Sequence, residues 1–193
     1  MSHVTEGLGV VPQHEKDKLG VWLFLGGEVV LFSSLILILI VFRVSYADLY
    51  GSFRDHLSIP LVGLNTFILI ISSYLVVRAL QAIRGGSQRG LRLYLLGVML
   101  LGAIFLSGQA IEWAQLFKEG LSLNSLFGTP FFVVTGIHGS HVLIGIAWAS
   151  LVQIQSLDGA FSERNTLGVE VFGLYWHFVD IVWIVLFSLI YLL

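Results

Sequence analysis

Residues 120–157 read GLSLNSLFGTPFFVVTGIHGSHVLIGIAWASLVQIQSL, a run of 38 residues without Asp, Glu, Lys or Arg. Residues 56–77 and 93–111 form two further uncharged runs, of 22 and 19 residues. A helix needs about 20 mostly apolar residues to cross the roughly 30 Å hydrocarbon core of a bilayer. Uncharged runs of this length indicate membrane-spanning helices, because a helix satisfies all of its backbone hydrogen bonds inside lipid.

The composition of the whole chain points to the same class. Of its 193 residues, 56% are hydrophobic and 11% are charged, whereas soluble domains carry about 25% charged residues. This difference excludes a water-soluble globular protein. The net charge of −2 argues against a nucleic-acid binder. The sequence contains no cysteine, which excludes disulfides, iron–sulfur clusters and thiolate zinc sites.

The hydropathy pattern predicts an all-α integral membrane protein with five transmembrane helices in a single domain, residues 19–193. The polar residues 1–18 form a separate N-terminal segment, which we expect in the cytoplasm. The predicted spans are Leu19–Phe42, Ile59–Leu80, Leu91–Trp113, Phe131–Gln155 and Glu170–Leu193.

The distribution of Lys and Arg predicts the orientation, because short cytoplasmic loops carry an excess of positive charge. The loop between the second and third spans is the most basic, with Arg78, Arg84, Arg89 and Arg92 in or beside it. Placing this loop in the cytoplasm gives seven basic residues inside and three outside. We therefore expect the N-terminus inside and the C-terminus outside.

Charged side chains within a span cost about 2.5–3.5 kcal/mol on insertion scales and so indicate function. Glu28 and Asp180 are the two deepest. At a rise of 1.5 Å per residue, both lie about 14–15 Å from the cytoplasmic edge, and His141 lies at a similar depth. His138 and His141 are three residues apart, as are His177 and Asp180, so each pair shares a helix face.

Three interpretations of this group remain open. The residues form a buried polar network that fixes helix packing, or Glu28 carries out proton or lipid chemistry, or His141 and His177 ligate a haem. A deep carboxylate near the histidines suits hydrogen bonding better than haem ligation. We expect a hydrogen-bonded network in which Glu28 faces the fourth span. The candidate members are Glu28, His138, His141, His177 and Asp180, with Asn65, Gln109 and Glu112 as secondary positions.

Two weaker patterns concern packing. Trp22, Trp113 and Tyr191 fall near predicted span ends, which is typical of the aromatic belt at a membrane interface. The second span carries a polar strip that we interpret as a helix–helix contact. The strip comprises Asn65, Thr66, Ser72 and Ser73.

Two runs of sequence resemble subunit III of the haem-copper terminal oxidases, the cytochrome c oxidase and quinol oxidase subunit III family. Residues 175–183 read YWHFVDIVW in the fifth span, and residues 131–142 read FFVVTGIHGSHV in the fourth. The matches cover all five spans in the family's order. The supporting matches are Gly20 to Glu28, Asn65 with Thr66, and Gln109 with Glu112 and Trp113.

The resemblance implies a non-catalytic subunit of a proton-pumping oxidase of aerobic respiration in a prokaryotic plasma membrane. Cytochrome c oxidase is the first expectation, and quinol oxidase is the alternative. Haems and copper would belong to the partner subunits I and II, with no cofactor, metal or catalytic residue in this chain. Its partners would be subunits I and II, a small subunit IV where one exists, and membrane phospholipids, but no nucleic acid.

The family also suggests a role for Glu28, which resembles its buried, carbodiimide-reactive carboxylate. In that family subunit III supports proton uptake and the stability of subunit I. The common form has seven helices, and this chain resembles the short form that lacks the first two. A related five-span protein associated with nitric oxide reductase is a further alternative for this chain.

Two alternatives belong to other classes of protein. One is a haem-bearing membrane anchor with His141 and His177 as axial ligands. The other is a stand-alone transporter, which would more often contain helices broken by Pro or Gly. The chain has three prolines, and Pro60 and Pro130 fall at predicted span starts, where proline is tolerated. The sequence therefore favours the oxidase subunit.

Overall fold

The computed structural model describes residues 13–47, 50–51, 57–126 and 128–193, so most of the predicted N-terminal segment lies outside the described residues. Within these ranges, five helices are long and apolar enough to cross a membrane, which confirms the predicted all-α fold. The helices are α1 (Gln13–Ser45), α2 (Ile59–Arg84), α3 (Gln88–Lys118), α4 (Gly128–Leu157) and α5 (Leu167–Phe187). A π-helical turn, Ser188–Leu192, continues α5.

Each of the first four predicted spans lies inside an observed helix, and the helices extend beyond the spans. The prediction followed only the apolar residues, whereas backbone hydrogen bonding continues until a local signal ends it. Between α2 and α3 that signal is Gly86, which has a φ of 76° and so occupies a conformation that favours glycine. The Ser87 side chain then accepts a hydrogen bond from the Gly90 N–H and caps α3.

Helix α5 occupies the centre of the bundle, packing against α1, α2 and α4. Helices α2 and α3 form an antiparallel pair, α3 packs on α4, and α1 lies against α4 and α5. The starts of α1, α3 and α5 share one end of the bundle, which we call the N-terminal end. The other end carries the α3–α4 connection and the C-terminal π-helical turn.

The indole ring of Trp176 is held between glycines of two neighbouring helices. A Cβ atom added at Gly102 of α3 would lie 3.0 Å from this ring, and one added at Gly145 of α4 would lie 2.7 Å from it. Small residues allow helices in lipid to approach closely, and packing then contributes to their association. These two glycines therefore explain how a tryptophan fits into the centre of the bundle.

Two tryptophan N–H groups of α5 donate hydrogen bonds to hydroxyl groups of α2. Trp183 Nε1 lies 2.9 Å from Thr66 Oγ1, and Trp176 Nε1 lies 3.0 Å from Ser72 Oγ. Thr66 and Ser72 of the polar strip thus face α5. Because each bond joins a specific pair, the two bonds fix the register of α2 against α5.

Candidate functional site

Glu28 of α1 and His141 of α4 form a direct pair. Glu28 Oε2 lies 3.0 Å from His141 Nε2, and the two side chains are 16% and 12% exposed. The other ring nitrogen, His141 Nδ1, lies 2.8 Å from the Ile137 carbonyl oxygen one turn earlier. The ring of Phe32 contacts the imidazole edge-on, with centroids 5.0 Å apart. Glu28 therefore faces the fourth helix.

These contacts determine how many protons the pair holds. A carbonyl oxygen only accepts hydrogen bonds, so Nδ1 of His141 carries a hydrogen. The 3.0 Å contact between Nε2 and Glu28 then requires one further proton, bound either to the carboxyl or to the imidazole. In both states the pair has no net charge, which suits a position inside a membrane.

His177 and Asp180 lie in a different group, on the side of α5 that faces α2. His177 Nδ1 lies 2.6 Å from Ser73 Oγ. Asp180 is 4% exposed, and neither of its carboxyl oxygens has a hydrogen-bond partner among the described residues. Asp180 therefore does not take part in the hydrogen bond between His177 and Ser73.

His138 is buried among aromatic rings. Its imidazole stacks on Trp183, with centroids 4.9 Å apart, and meets the edge of Phe105 at 5.9 Å. Neither ring nitrogen has a hydrogen-bond partner in the part of the chain that the structure describes. His138 therefore acts as a packed aromatic side chain, although it lies three residues from His141.

Gln109 and Glu112 form a third group with a residue from the end of the chain. Glu112 Oε2 accepts hydrogen bonds from Gln109 Nε2 at 2.9 Å and from the Tyr191 hydroxyl at 2.8 Å. The expectation that Tyr191 belongs to an interfacial aromatic belt was wrong, because Tyr191 is fully buried. The π-helical turn carries Tyr191, and the Glu112 carboxyl gives its hydroxyl a partner inside the bundle.

Asn65, the remaining secondary candidate, links α2 to α3. Its Nδ2 donates to the Phe105 carbonyl oxygen at 2.8 Å. A Cβ atom at Gly108 would lie 2.7 Å from Asn65 Oδ1, so the amide fills the space beside that glycine. Asn65 therefore fixes the contact between α2 and α3.

The predicted candidates thus form separate groups rather than one continuous network. Similar depth in the membrane did not imply contact, because the residues face different neighbours around α5. Glu28 with His141 belongs to the α1–α4 contact, whereas His177 with Ser73 belongs to the α2–α5 contact.

A further polar cluster, which the sequence did not single out, lies at the N-terminal end of the bundle. Glu170 accepts from Lys18 Nζ at 3.0 Å through Oε2 and from Arg84 at 2.9 Å through Oε1. Thr166 also donates to Oε1, at 2.7 Å. This cluster joins α1, α2 and α5. Its only sequence signal was a carboxylate in the first turn of the last helix, which three inter-helix connections separate from Arg84 and four separate from Lys18.

Among the residues that the structure describes, no three His, Cys, Asp or Glu side chains are grouped in a way that could hold a metal ion. His141 also has both ring nitrogens engaged, with Glu28 and with the Ile137 carbonyl oxygen. Of the candidate residues, Glu28, His141, His177 and Glu112 therefore pair with other side chains, whereas His138 and Asp180 have no hydrogen-bond partner among the described residues.

Comparison with known proteins gives consistent matches over the whole chain. A family model described as cytochrome c oxidase subunit III matches residues 6–193. The chain is 35% identical to quinol oxidase subunit 3 of Bacillus subtilis (strain 168), with 100% of this chain and 98% of that protein aligned. It is 33% identical to probable quinol oxidase subunit 3 of Staphylococcus saprophyticus, with 92% of this chain and 89% of that protein aligned. It is 32% identical to probable quinol oxidase subunit 3 of Staphylococcus aureus (strain USA300), with 100% of this chain and 97% of that protein aligned.

Together with the fold, these matches identify the location of the protein and the complex to which it belongs. Five apolar helices and bacterial relatives identify a multi-pass protein of the prokaryotic plasma membrane. The family consists of subunits of an oxidoreductase complex whose haems and copper are carried by other subunits. The chain therefore belongs to the cytochrome c oxidase subunit III family and is a subunit III of the haem-copper oxidases.

Proposed function

We propose that the chain is subunit III of a quinol-oxidising haem-copper oxidase. The observation that carries this proposal is the name shared by its relatives, quinol oxidase subunit 3, over the full length of the chain. The first expectation from the sequence was cytochrome c oxidase. These names favour the alternative, because none of the cited relatives is named for cytochrome c.

Within the complex, the chain would support subunit I without performing redox chemistry itself. The Glu28–His141 pair would hold α1 on α4 and help to maintain proton supply to subunit I. We propose that Glu28 acts through this packing contact and is not an obligatory proton carrier. We also propose subunit II and membrane phospholipids as partners.

The contacts of His141 favour the oxidase subunit over the haem-bearing anchor. An axial histidine must present a free ring nitrogen to iron, yet His141 uses one nitrogen for Glu28 and the other for the Ile137 carbonyl. Haem ligation would break the α1–α4 contact. The oxidase subunit requires no such rearrangement.

The proposed orientation places the N-terminal end of the bundle in the cytoplasm. Since the natural sequence has no cysteine, single cysteines can report this orientation. In intact cells, a membrane-impermeant maleimide should label an Asn124→Cys variant, on the α3–α4 connection, but not Arg89→Cys. Labelling of Arg89→Cys alone would contradict the orientation.

Purification of the complex through an affinity tag on this chain tests the main proposal. We expect subunits I and II to copurify with haem, and the complex to oxidise a quinol with consumption of oxygen. A complex that oxidises reduced cytochrome c, with a dinuclear copper motif in subunit II, would instead establish cytochrome c oxidase. A chain that purifies alone with stoichiometric haem would establish the membrane anchor.

A further inference from the structure

A groove of about 370 Å³ runs between α1 and α2 at the N-terminal end of the bundle, with α5 as its floor. We call it the α1–α2 groove. Its walls are mainly aliphatic, including Val77 and Leu80 of α2 and Leu174 of α5. Polar groups lie at two levels, the Lys18–Glu170–Arg84 cluster and His177.

His177 offers the groove an unused hydrogen-bonding atom. Its Nδ1 is paired with Ser73 Oγ at 2.6 Å, while Nε2 has no partner in the described part of the chain. The side chain lines the groove. When the Ser73 hydroxyl donates to Nδ1, Nε2 carries the ring hydrogen and can donate to an acceptor in the groove. A hydrocarbon chain would leave this donor unpaired.

The other polar level already contains its own anion. The Glu170 carboxylate lies between Lys18 and Arg84, 3.0 and 2.9 Å from their nitrogens. A phosphate group would have to displace this carboxylate to bind the same two cations. Lys18 and Arg84 nevertheless have further N–H groups, which can donate to a neutral acceptor. The groove therefore favours an uncharged ligand over an anionic lipid headgroup.

The spacing of the two levels limits the size of the ligand. Glu170, Leu174 and His177 lie on one face of α5, and seven residues separate the first from the last, which is about 10 Å along the helix. A ligand that accepts from both levels therefore needs one acceptor at each of its two ends, with a short apolar body between them. A single six-membered ring with a carbonyl oxygen at each end has this form.

We propose that the α1–α2 groove binds the ring of an isoprenoid quinone from the membrane. One carbonyl oxygen accepts from His177 Nε2, the other accepts from Lys18 or Arg84, and the aliphatic walls enclose the ring. The side chain of the quinone extends into the surrounding lipid. This binding goes beyond the proposed function, because it assigns a ligand to subunit III itself and does not depend on the electron donor of the complex.

Photolabelling of the purified oxidase complex with a photoreactive azidonaphthoquinone tests the site. We expect cross-links in the peptides that contain Trp22, Leu80 and Leu174, and we expect excess unlabelled quinone to suppress them. Loss of one hydrogen bond in His177→Phe should weaken binding of the probe about two- to tenfold. His138→Phe is the matched control, since His138 does not line the groove and has no hydrogen-bond partner among the described residues. The affinity of this variant for the probe should remain within twofold of that of the unmodified protein.

A second pair of variants addresses the groove without changing a polar group. Val77→Trp fills the groove and should reduce labelling to background, whereas Ile71→Trp, at an exposed position of α2 away from the groove, should label normally. Suppression by phosphatidylglycerol but not by quinone would overturn the proposal in favour of a lipid site. Labelling that is unchanged in both His177→Phe and Val77→Trp would also overturn it.

The same samples separate this inference from the proposed function. Copurification with subunit I and oxidation of quinol test the function, while the position of the cross-links tests the groove. An active complex with no cross-link in the groove would refute only the quinone site. Cross-links in the groove of a complex that oxidises cytochrome c would refute only the proposed donor.

Discussion

Helices α1 and α5 are both apolar, but the bundle holds them in different ways. In their most apolar stretches, 50% of the residues of α5 are buried, against 17% for α1. Helix α5 is held by close packing around Trp176 and by two tryptophan hydrogen bonds to α2. Polar contacts hold α1 at three depths. These contacts are Lys18 with Glu170, Glu28 with His141, and Arg43 with the Leu189 carbonyl oxygen.

This difference shows which surface the fold leaves for other molecules. Lipid tails are as apolar as the side chains, so hydrophobicity alone does not hold helices together in a membrane. Polar pairs attach α1 while its apolar residues, such as Leu23, Val30 and Leu37, stay exposed. Helix α1 can therefore contact lipid or a partner subunit without losing its place in the bundle.

The largest expected effect comes from removing the central tryptophan of α5. Trp176→Ala should lower the free energy of unfolding by about 3–5 kcal/mol, because the change leaves a cavity between Gly102 and Gly145. Trp22→Ala on α1 is the matched control and should have little effect, since Trp22 is 58% exposed. Protease resistance during unfolding in mixed micelles measures both variants. Equal losses of stability in Trp176→Ala and Trp22→Ala would contradict this account, because they would show that the bundle holds α1 and α5 in the same way.

A smaller effect is expected at the middle attachment of α1. Glu28→Ala leaves His141 Nε2 without its partner and should destabilise the α1–α4 contact by about 1–3 kcal/mol. Glu28→Gln keeps the shape and a hydrogen-bond donor, so its stability should stay close to that of the unmodified protein. The same unfolding measurement applies. A Gln variant as unstable as the Ala variant would show that the carboxyl group itself is required.

The smallest effect is expected at the N-terminal end. Lys18→Met removes one of the two cations bound to Glu170 and should cost at most about 1 kcal/mol, because the Lys18 side chain is 42% exposed. Screening by salt should make this loss of stability smaller still. Measuring the free energy of unfolding of both proteins at low and at high ionic strength tests this expectation. A larger loss that does not respond to salt would indicate a stronger, water-excluded attachment.

The sequence predicts the number, order and approximate limits of the helices because uncharged runs and membrane thickness leave few alternatives. It also identifies the polar strip of α2, since hydroxyl groups inside a span need partners. It does not predict the partners themselves. Depth along a helix follows from residue number, but the direction in which Asp180 or His138 points depends on how each helix is rotated about its own axis.

Two local features explain the remaining errors. The π-helical turn after Phe187 turns Tyr191 inward to Glu112, and no proline or glycine at residues 188–192 indicates this turn. The bond between Glu170 and Lys18 joins residues more than 150 positions apart, so only the packing of α1 on α5 brings them together. The family resemblance named candidate residues but did not indicate which of them are in contact.

Proton pumping by the assembled oxidase with Glu28→Gln tests the central claim most directly, namely that Glu28 acts through its contact with His141. The measurement compares protons released per oxygen consumed, in reconstituted vesicles, with the unmodified complex. We predict that the Gln variant assembles, consumes oxygen and pumps protons at close to the unmodified values. A variant that assembles and consumes oxygen normally but pumps no protons would contradict the claim and make Glu28 an obligatory proton carrier.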